Sequence, residues 1–308
     1  MNLYDGNGDV IAIDSESSFP PYFETEIEGA VATLKSNDLL IGNTGESFVF
    51  ITDVHWSLNA QHSPALINYI LEKYRRIPVI FGGDAIGSKQ STKELAIAEL
   101  RSFTDAFGDI IYTIGNHDEN KEDSNPSTAY LTDAETYALL PRWSEGVYDC
   151  VTTGDTLGMY FDNPSQKIRH IIVRRENKTT LQASDVYQYI AEKIADTPSG
   201  WTNIIIMHDG LYNIANVSKA ISDALTDGKS AVVFCGHTHA NSVTVSNGIT
   251  FVTTQTDAVN VNTHPTGCAT MTAGTATEQA FDVVQIDANS KTVYMTRIGA
   301  GDDRTINY

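Results

Sequence analysis

Five short, almost uniformly apolar runs punctuate the chain, at 48–52, 79–81, 110–114, 204–207 and 231–235. Their length and their content of Val, Ile and Phe read as strands buried on both faces. Between them, apolar positions recur at helical spacing. Leu66, Ile67, Ile70 and Leu71 mark one face of a helix over 63–75. Ser91 followed by Glu94 has the form of a capping box, opening a helix whose stripe is Leu95, Ala98, Leu100 and Phe103. This β-α-β-α-β series predicts parallel strands joined by right-handed crossovers.

Farther on, 158–162 and 167–174 predict antiparallel strands around Asn163-Pro164. A helix over 185–194 leads into the strand 203–207, and one over 217–225 leads into 231–235. The tail is β-rich, with strands expected at 242–245, 249–254, 281–286 and 293–298. The predicted class is α/β, with a main domain over 47–308. Residues 1–46 hold short apolar stretches at 10–13 and 39–41 among Gly, Asp, Ser and Pro, and read as a strand-and-loop lead-in packed on that domain. Residues 119–150 interrupt the rhythm as an insertion in which Thr132 and Glu135 open a short helix. The Thr- and Gly-rich segment 258–278 reads as a mobile loop. No internal repeat is present.

Composition narrows the partners. A formal net charge of −19 and a pI near 4.6 argue against non-specific binding to nucleic acid or to an anionic membrane. They leave a small phosphorylated substrate open, because bound divalent cations make a site locally positive. Cys150, Cys235 and Cys268 form no C-x-x-C pair, and their low, odd number fits a reducing compartment. The N-terminus shows no basic-then-apolar leader pattern, and no apolar run has the length of a membrane span. A cytoplasmic location is the expectation, with a phage virion as the alternative.

Each apolar run ends in a polar segment: Asp53-Val54-His55, Gly83-Asp84, Gly115-Asn116-His117-Asp118, Met207-His208-Asp209 and Gly236-His237-Thr238-His239. Taken singly, each has a plain reading. Gly-Asp makes turns, and His208 alone reads as a satisfied core histidine. Two histidines one residue apart after a strand and a glycine are less ordinary. Together, all at strand ends, the segments point to metal chemistry. Imidazole with carboxylate suits Mn, Fe, Zn, Ni or Co better than Mg or Ca. One carboxylate can bridge two cations about 3.5–4 Å apart. The glycines before Asp84, Asn116 and His237 are expected to turn the backbone and aim these side chains inward. His62, His170 and His264 fall outside the segments and read as structural or surface residues.

The ordered set Asp-x-His, Gly-Asp, Gly-Asn-His-Asp, a lone His and Gly-His-x-His resembles the calcineurin-like metallophosphoesterases over about residues 48–255. That resemblance implies a two-sheet β-sandwich flanked by helices and two divalent metal ions. It implies Asp53, His55 and His239 on the first metal, Asn116, His208 and His237 on the second, and Asp84 bridging them. His117 becomes the proton donor or phosphate contact and not a metal ligand, while Asp118 either orients it or caps a turn. Asp209 is a candidate to support His208. The sequence departs from two branches. No arginine follows Asp84 closely, unlike the protein Ser/Thr phosphatases, and Gly87 stands where purple acid phosphatases carry a tyrosine ligand. A 5′-nucleotidase type would need a second large domain, for which the chain has little room. The expected reaction is phosphodiester hydrolysis by a metal-bridging hydroxide, manganese being the representative metal. A phosphomonoesterase and a phage-tail or surface binding module with an idle site are the alternatives. Substrate-facing candidates are Trp56, Tyr130, Arg142, Trp143 and the 255–278 rim; oligomeric state stays open.

Overall fold

The elements below come from a computed structural model, which describes residues 19–42, 45–108, 110–121, 124–139, 158–174, 183–261 and 268–308. In chain order they are α1 (Glu24–Ile41), β1 (Glu46–Ile51), α2 (Ser63–Lys73), β2 (Val79–Phe81), α3 (Lys93–Phe107), β3 (Ile111–Tyr112) and α4 (Asp133–Leu139). There follow β4 (Gly158–Asn163), β5 (Ile168–Val173), α5 (Ala183–Ala195), β6 (Thr202–Ile206), α6 (Ile214–Ala224), β7 (Ser230–Cys235), β8 (Ser242–Ser246) and β9 (Ile249–Thr253). The chain closes with β10 (Ala280–Asp287), β11 (Thr292–Gly299) and β12 (Arg304–Asn307).

The strands form two six-stranded sheets, ordered β12-β11-β10-β1-β2-β3 and β4-β5-β6-β7-β9-β8. The β1-β2-β3 set is parallel, as is β5-β6-β7-β9. Phe48 and Phe50 of β1 point into the space between the sheets, with Ile204, Ile206, Phe234 and Val284. Val49 and Ile51 point the other way, onto α1, α2 and α3. Both faces of β1 are therefore apolar, which is why its sequence shows a run and not an alternation. The outer face of the second sheet is covered by α5 and α6.

Two expectations are corrected. Residues 24–41 form an 18-residue helix, not strands and loops. Its buried Ile27, Ala30, Val31 and Leu34 have helical spacing and pack with Val49, Ile51 and Phe281. Leu39 and Leu40, read as part of an apolar stretch, are exposed at its end. Second, α3 is capped by Thr92, whose hydroxyl accepts from the Leu95 amide, and not by Ser91. Its inner face is Ala96, Glu99, Leu100 and Phe103, whereas Leu95 and Ala98 are exposed. Residues 304–307, beyond the strands that the pattern marked, add an edge strand on β11. The short helix at Thr132 does form with its box closed, Thr132 and Glu135 each bonding the other's amide. The 10–13 stretch lies outside the described residues.

A buried polar node fastens the loop after β1. The Asp257 carboxylate accepts from the Ser63 hydroxyl, from Asn59 Nδ2 at 2.8 Å and from the Ala280 amide at 2.8 Å. Gln279 Oε1 accepts the amides of His62 and Ser63. Thr256 donates to the Asp53 carbonyl at 2.7 Å. Burial pushes the Asp257 carboxyl up to about 7. The folded state thus holds this proton more tightly than an unfolded aspartate does. The stabilisation it provides is complete below about pH 4 and fades as pH rises through about 7. The melting temperature of the wild type minus that of Asp257→Asn is expected to fall between pH 4 and 7 and then level off. Thermal melts across pH in chelator check this; a gap independent of pH contradicts it.

Candidate metal centre

The two sheets bring the carboxyl ends of β1, β2, β3, β6 and β7 to one edge, and each strand hands over to a turn that carries a polar side chain. Backbone pairing continues past the strands. The Asp53 amide bonds the Gly83 carbonyl, the His55 amide bonds that of Asp84, and the Gly236 amide bonds that of His208. Asp53, His55, Asp84, His237 and His239 all have left-handed backbones, with φ of 51°, 42°, 61°, 66° and 56°. Such conformations cost on the order of 1–3 kcal/mol each and persist only where surroundings over-determine them.

The side chains gather in two groups. Ligand-type atoms of Asp53, His55 and His239 all lie within 4.8 Å of one another, as do those of Asp84, His208 and His237. In the first group, the Nε2 atoms of His55 and His239 face each other at 3.1 Å, and His239 Nε2 is 3.3 Å from Asp53 Oδ1. In the second, His208 Nε2 is 3.1 Å from Asp84 Oδ2. Asn116 Oδ1 joins it, 3.1 Å from His208 Nε2 and 2.7 Å from His237 Nδ1. All seven residues expected as ligands are therefore brought together, with Asp84 beside His208 and His237 in the second group. Asp53, Asp84 and His208 are fully enclosed.

Neighbouring carbonyls fix which imidazole nitrogen faces inward. His208 Nδ1 donates to the Gly82 carbonyl at 2.8 Å and His55 Nδ1 to that of Ile86 at 3.3 Å, so Nε2 of each ring points at the carboxylates. Burial alone would raise the Asp84 carboxyl, but His208, His117 and His55 override it and hold it well below the usual carboxylate range. Burial likewise opposes charge on His208, yet Asp84, with Asp53 and Asp209, pushes it up to about 10. A buried anion faces a buried imidazolium, an arrangement that a divalent cation can replace by displacing the proton. Carboxylates, imidazoles and one amide oxygen, paired tautomers and a strained backbone all fit two divalent transition-metal ions.

His117 lies beside this cluster, its Nε2 4.0 Å from Asp84 Oδ2 and its amide bonded to Asp84 Oδ1 at 2.8 Å. The Ser88 hydroxyl, in a loop the sequence did not single out, donates to the His117 carbonyl at 2.6 Å. Asp118 is buried, and its oxygens accept the amides of Asp84, Ala85 and Gly115 at 3.0, 2.6 and 2.7 Å. Of the two roles weighed for it, these bonds describe turn capping. Trp56 is buried against Phe103 and Phe107 and donates to Ser102, a packing role. Tyr130 donates to the Asn125 carbonyl at 3.4 Å. Arg142, Trp143, Cys150 and His264 lie outside the described residues. His62 pairs with Glu278, and His170 stacks on Phe161, both away from the cluster.

The family comparison decides the relationship: the model of the calcineurin-like phosphoesterases matches residues 47–241, more than half of the chain. The chain belongs to that family. No curated protein sequence matches it. Among solved structures, this calcineurin-like phosphoesterase is similar to the NAD nucleotidase of Haemophilus influenzae, with 15% identity and a TM-score of 0.47. The match covers 85% of this chain and 49% of that one, so the chain spans about half of the nucleotidase. A phosphatase of Mycoplasma pneumoniae is 14% identical over 84% of this chain and 95% of that one, with a TM-score of 0.40. A predicted phosphoesterase of Streptococcus pneumoniae TIGR4 is 10% identical over 86% and 98%, also at 0.40.

The role of two glycines differs from the expected one. Gly83, at φ +97°, does turn the chain, but Gly115 and Gly236 are needed for space. A Cβ on Gly236 would run into Thr52 and the Asp53 carboxylate, and one on Gly115 into the Asp84 carboxylate. Gly236→Ala is expected to bind less than half of the wild-type metal and to lose about 1–3 kcal/mol of stability, as overpacking does. Gly29→Ala in α1, where nothing lies within 4 Å of the new Cβ, serves as the control and should stabilise by about 0.5–1 kcal/mol. Metal analysis and melting curves read both; equal metal content in the two variants contradicts the close-approach argument.

Proposed function

We propose that this calcineurin-like phosphoesterase is a dinuclear phosphodiesterase. The observation that carries the reading is the pair of ligand groups, Asp53–His55–His239 and Asp84–Asn116–His208–His237, set side by side with His117 at their edge. Asp84 would be the ligand shared between the two ions. Bound there, two divalent cations supply positive charge for the phosphoryl oxygens and lower the pKa of the attacking water. His117 contributes the general acid, giving its Nε2 proton to the departing alkoxide as the P–O bond breaks. Asp118 holds the turns that carry Asp84 and His117.

Hydrolysis of bis(p-nitrophenyl) phosphate and of p-nitrophenyl phosphate, each with Mn²⁺, Zn²⁺, Ni²⁺, Co²⁺ and Mg²⁺, tests the reading. The diester is expected to turn over with the higher kcat/KM. A higher value for the monoester assigns the chain to monoester chemistry, and no turnover with any metal removes the enzymatic reading. Asp84→Asn is expected to lose both turnover and metal. His117→Ala should keep the metal and lose about 10²–10⁴ in kcat.

A further inference from the structure

A buried ionic cluster lies between the sheets just below the metal centre. Asp282 of β10 stands opposite Phe50 of β1, three residues before Asp53, and opposite Arg297 of β11. Arg304 of β12 joins from the neighbouring strand. One oxygen, Asp282 Oδ2, receives Arg297 Nη2 at 3.0 Å, Arg304 Nη2 at 3.3 Å and the Thr254 hydroxyl at 2.6 Å. The Arg297 and Asp282 side chains are 1% and 0% exposed.

This cluster is poorly balanced. Two guanidiniums bond one carboxylate, and the Asp257 carboxyl also lies within electrostatic reach of Arg297. Among the described residues, Arg297 Nε and Nη1, Arg304 Nε and Asp282 Oδ1 have no hydrogen-bond partner. Burying an excess charge and unpaired polar atoms is costly, and well-packed apolar replacements of such clusters are often neutral or stabilising. Stability does not account for the arrangement; its reach does. Arg297 Nη2 also donates to Asn241 Oδ1 at 3.0 Å, two residues past His239. On the other side of the same turn, the His237 amide donates to both Asp53 oxygens, at 3.0 and 3.1 Å. The left-handed residues His237 and His239 are thus bracketed by two anchors.

We infer that Arg297 is a positioning residue for the His-x-His turn, holding His239 in the first ligand group through Asn241. The inference rests on the metal-centre reading above and extends it to a residue more than fifty positions away, on another sheet. Arg304 and Asp282 orient the Arg297 guanidinium, so the charge imbalance is the cost of a rigid strut between the first sheet and the turn.

Titration of the metal-free protein with Co²⁺, followed by its d–d absorption, tests this. The wild type is expected to bind two ions. Arg297→Met and Asn241→Ala should each bind one ion as the wild type does and the other about 10–100-fold more weakly. In a His208→Ala background, which leaves the Asp53–His55–His239 group, either change should weaken the remaining site by the same factor of about 10–100. Asn241→Asp keeps an acceptor and should restore both affinities. The metal-free melting temperature of Arg297→Met should equal or exceed that of the wild type. Wild-type affinities for both ions in Asn241→Ala overturn the inference, and that variant decides the matter if Arg297→Met does not fold. Parallel loss of both sites with melting temperature also overturns it. A wild type that binds no ion overturns the metal reading itself, and this inference with it.

Discussion

Two carboxylates buried where the sheets meet set the conditions for everything around them. Asp53 and Asp84 are cut off from water, and an isolated buried carboxylate is too costly to stay ionised. Each is kept charged by what the fold aims at it. Asp53 takes the Thr52 hydroxyl and the His237 amide and faces His239. Asp84 takes the His117 amide and faces His208. Burial would raise both, and the histidines hold both down. These donors come from both sheets, so the carboxylates also fasten the sheets at the catalytic edge.

The same demand explains the backbone around them. Five residues of the two ligand groups are left-handed, a conformation that side chains rarely adopt. Asp118 binds the turns after β2 and β3, and the Asp257 node pins the loop after β1. The turn after β7 is reached from Asp53 on one side and Arg297 on the other. Gly115 and Gly236 let the backbone press against the carboxylates. A strained site of this kind is characteristic of geometry held for a ligand and not for the fold's own stability.

Much of this was legible from local pattern. Strands buried on both faces announce themselves as apolar runs, and the polar residue that ends each run marks the open edge of a parallel sheet. The central helices were legible where packing and periodicity agree, as in α2. They were less so in α3, where Glu99 takes a buried place by bonding Gln90 and the Ser57 amide and shifts the inner face from the apparent stripe. α1 was missed although Ile27, Ala30, Val31 and Leu34 are helically spaced, and its buried face packs onto the first sheet.

By itself, the sequence determined the strand ends, the donor types and the family, because these depend on residue identity within a few positions of each strand. The tertiary structure decided what depends on long closures. It settled Asp118 on backbone amides of a distant turn, and it turned Trp56 into the core. It also set Arg297 beside Asn241, 56 positions away in the chain. The physical reason is that periodicity reports which face of an element is buried, whereas the partner buried against it is chosen by sheet order and register, which local sequence does not encode.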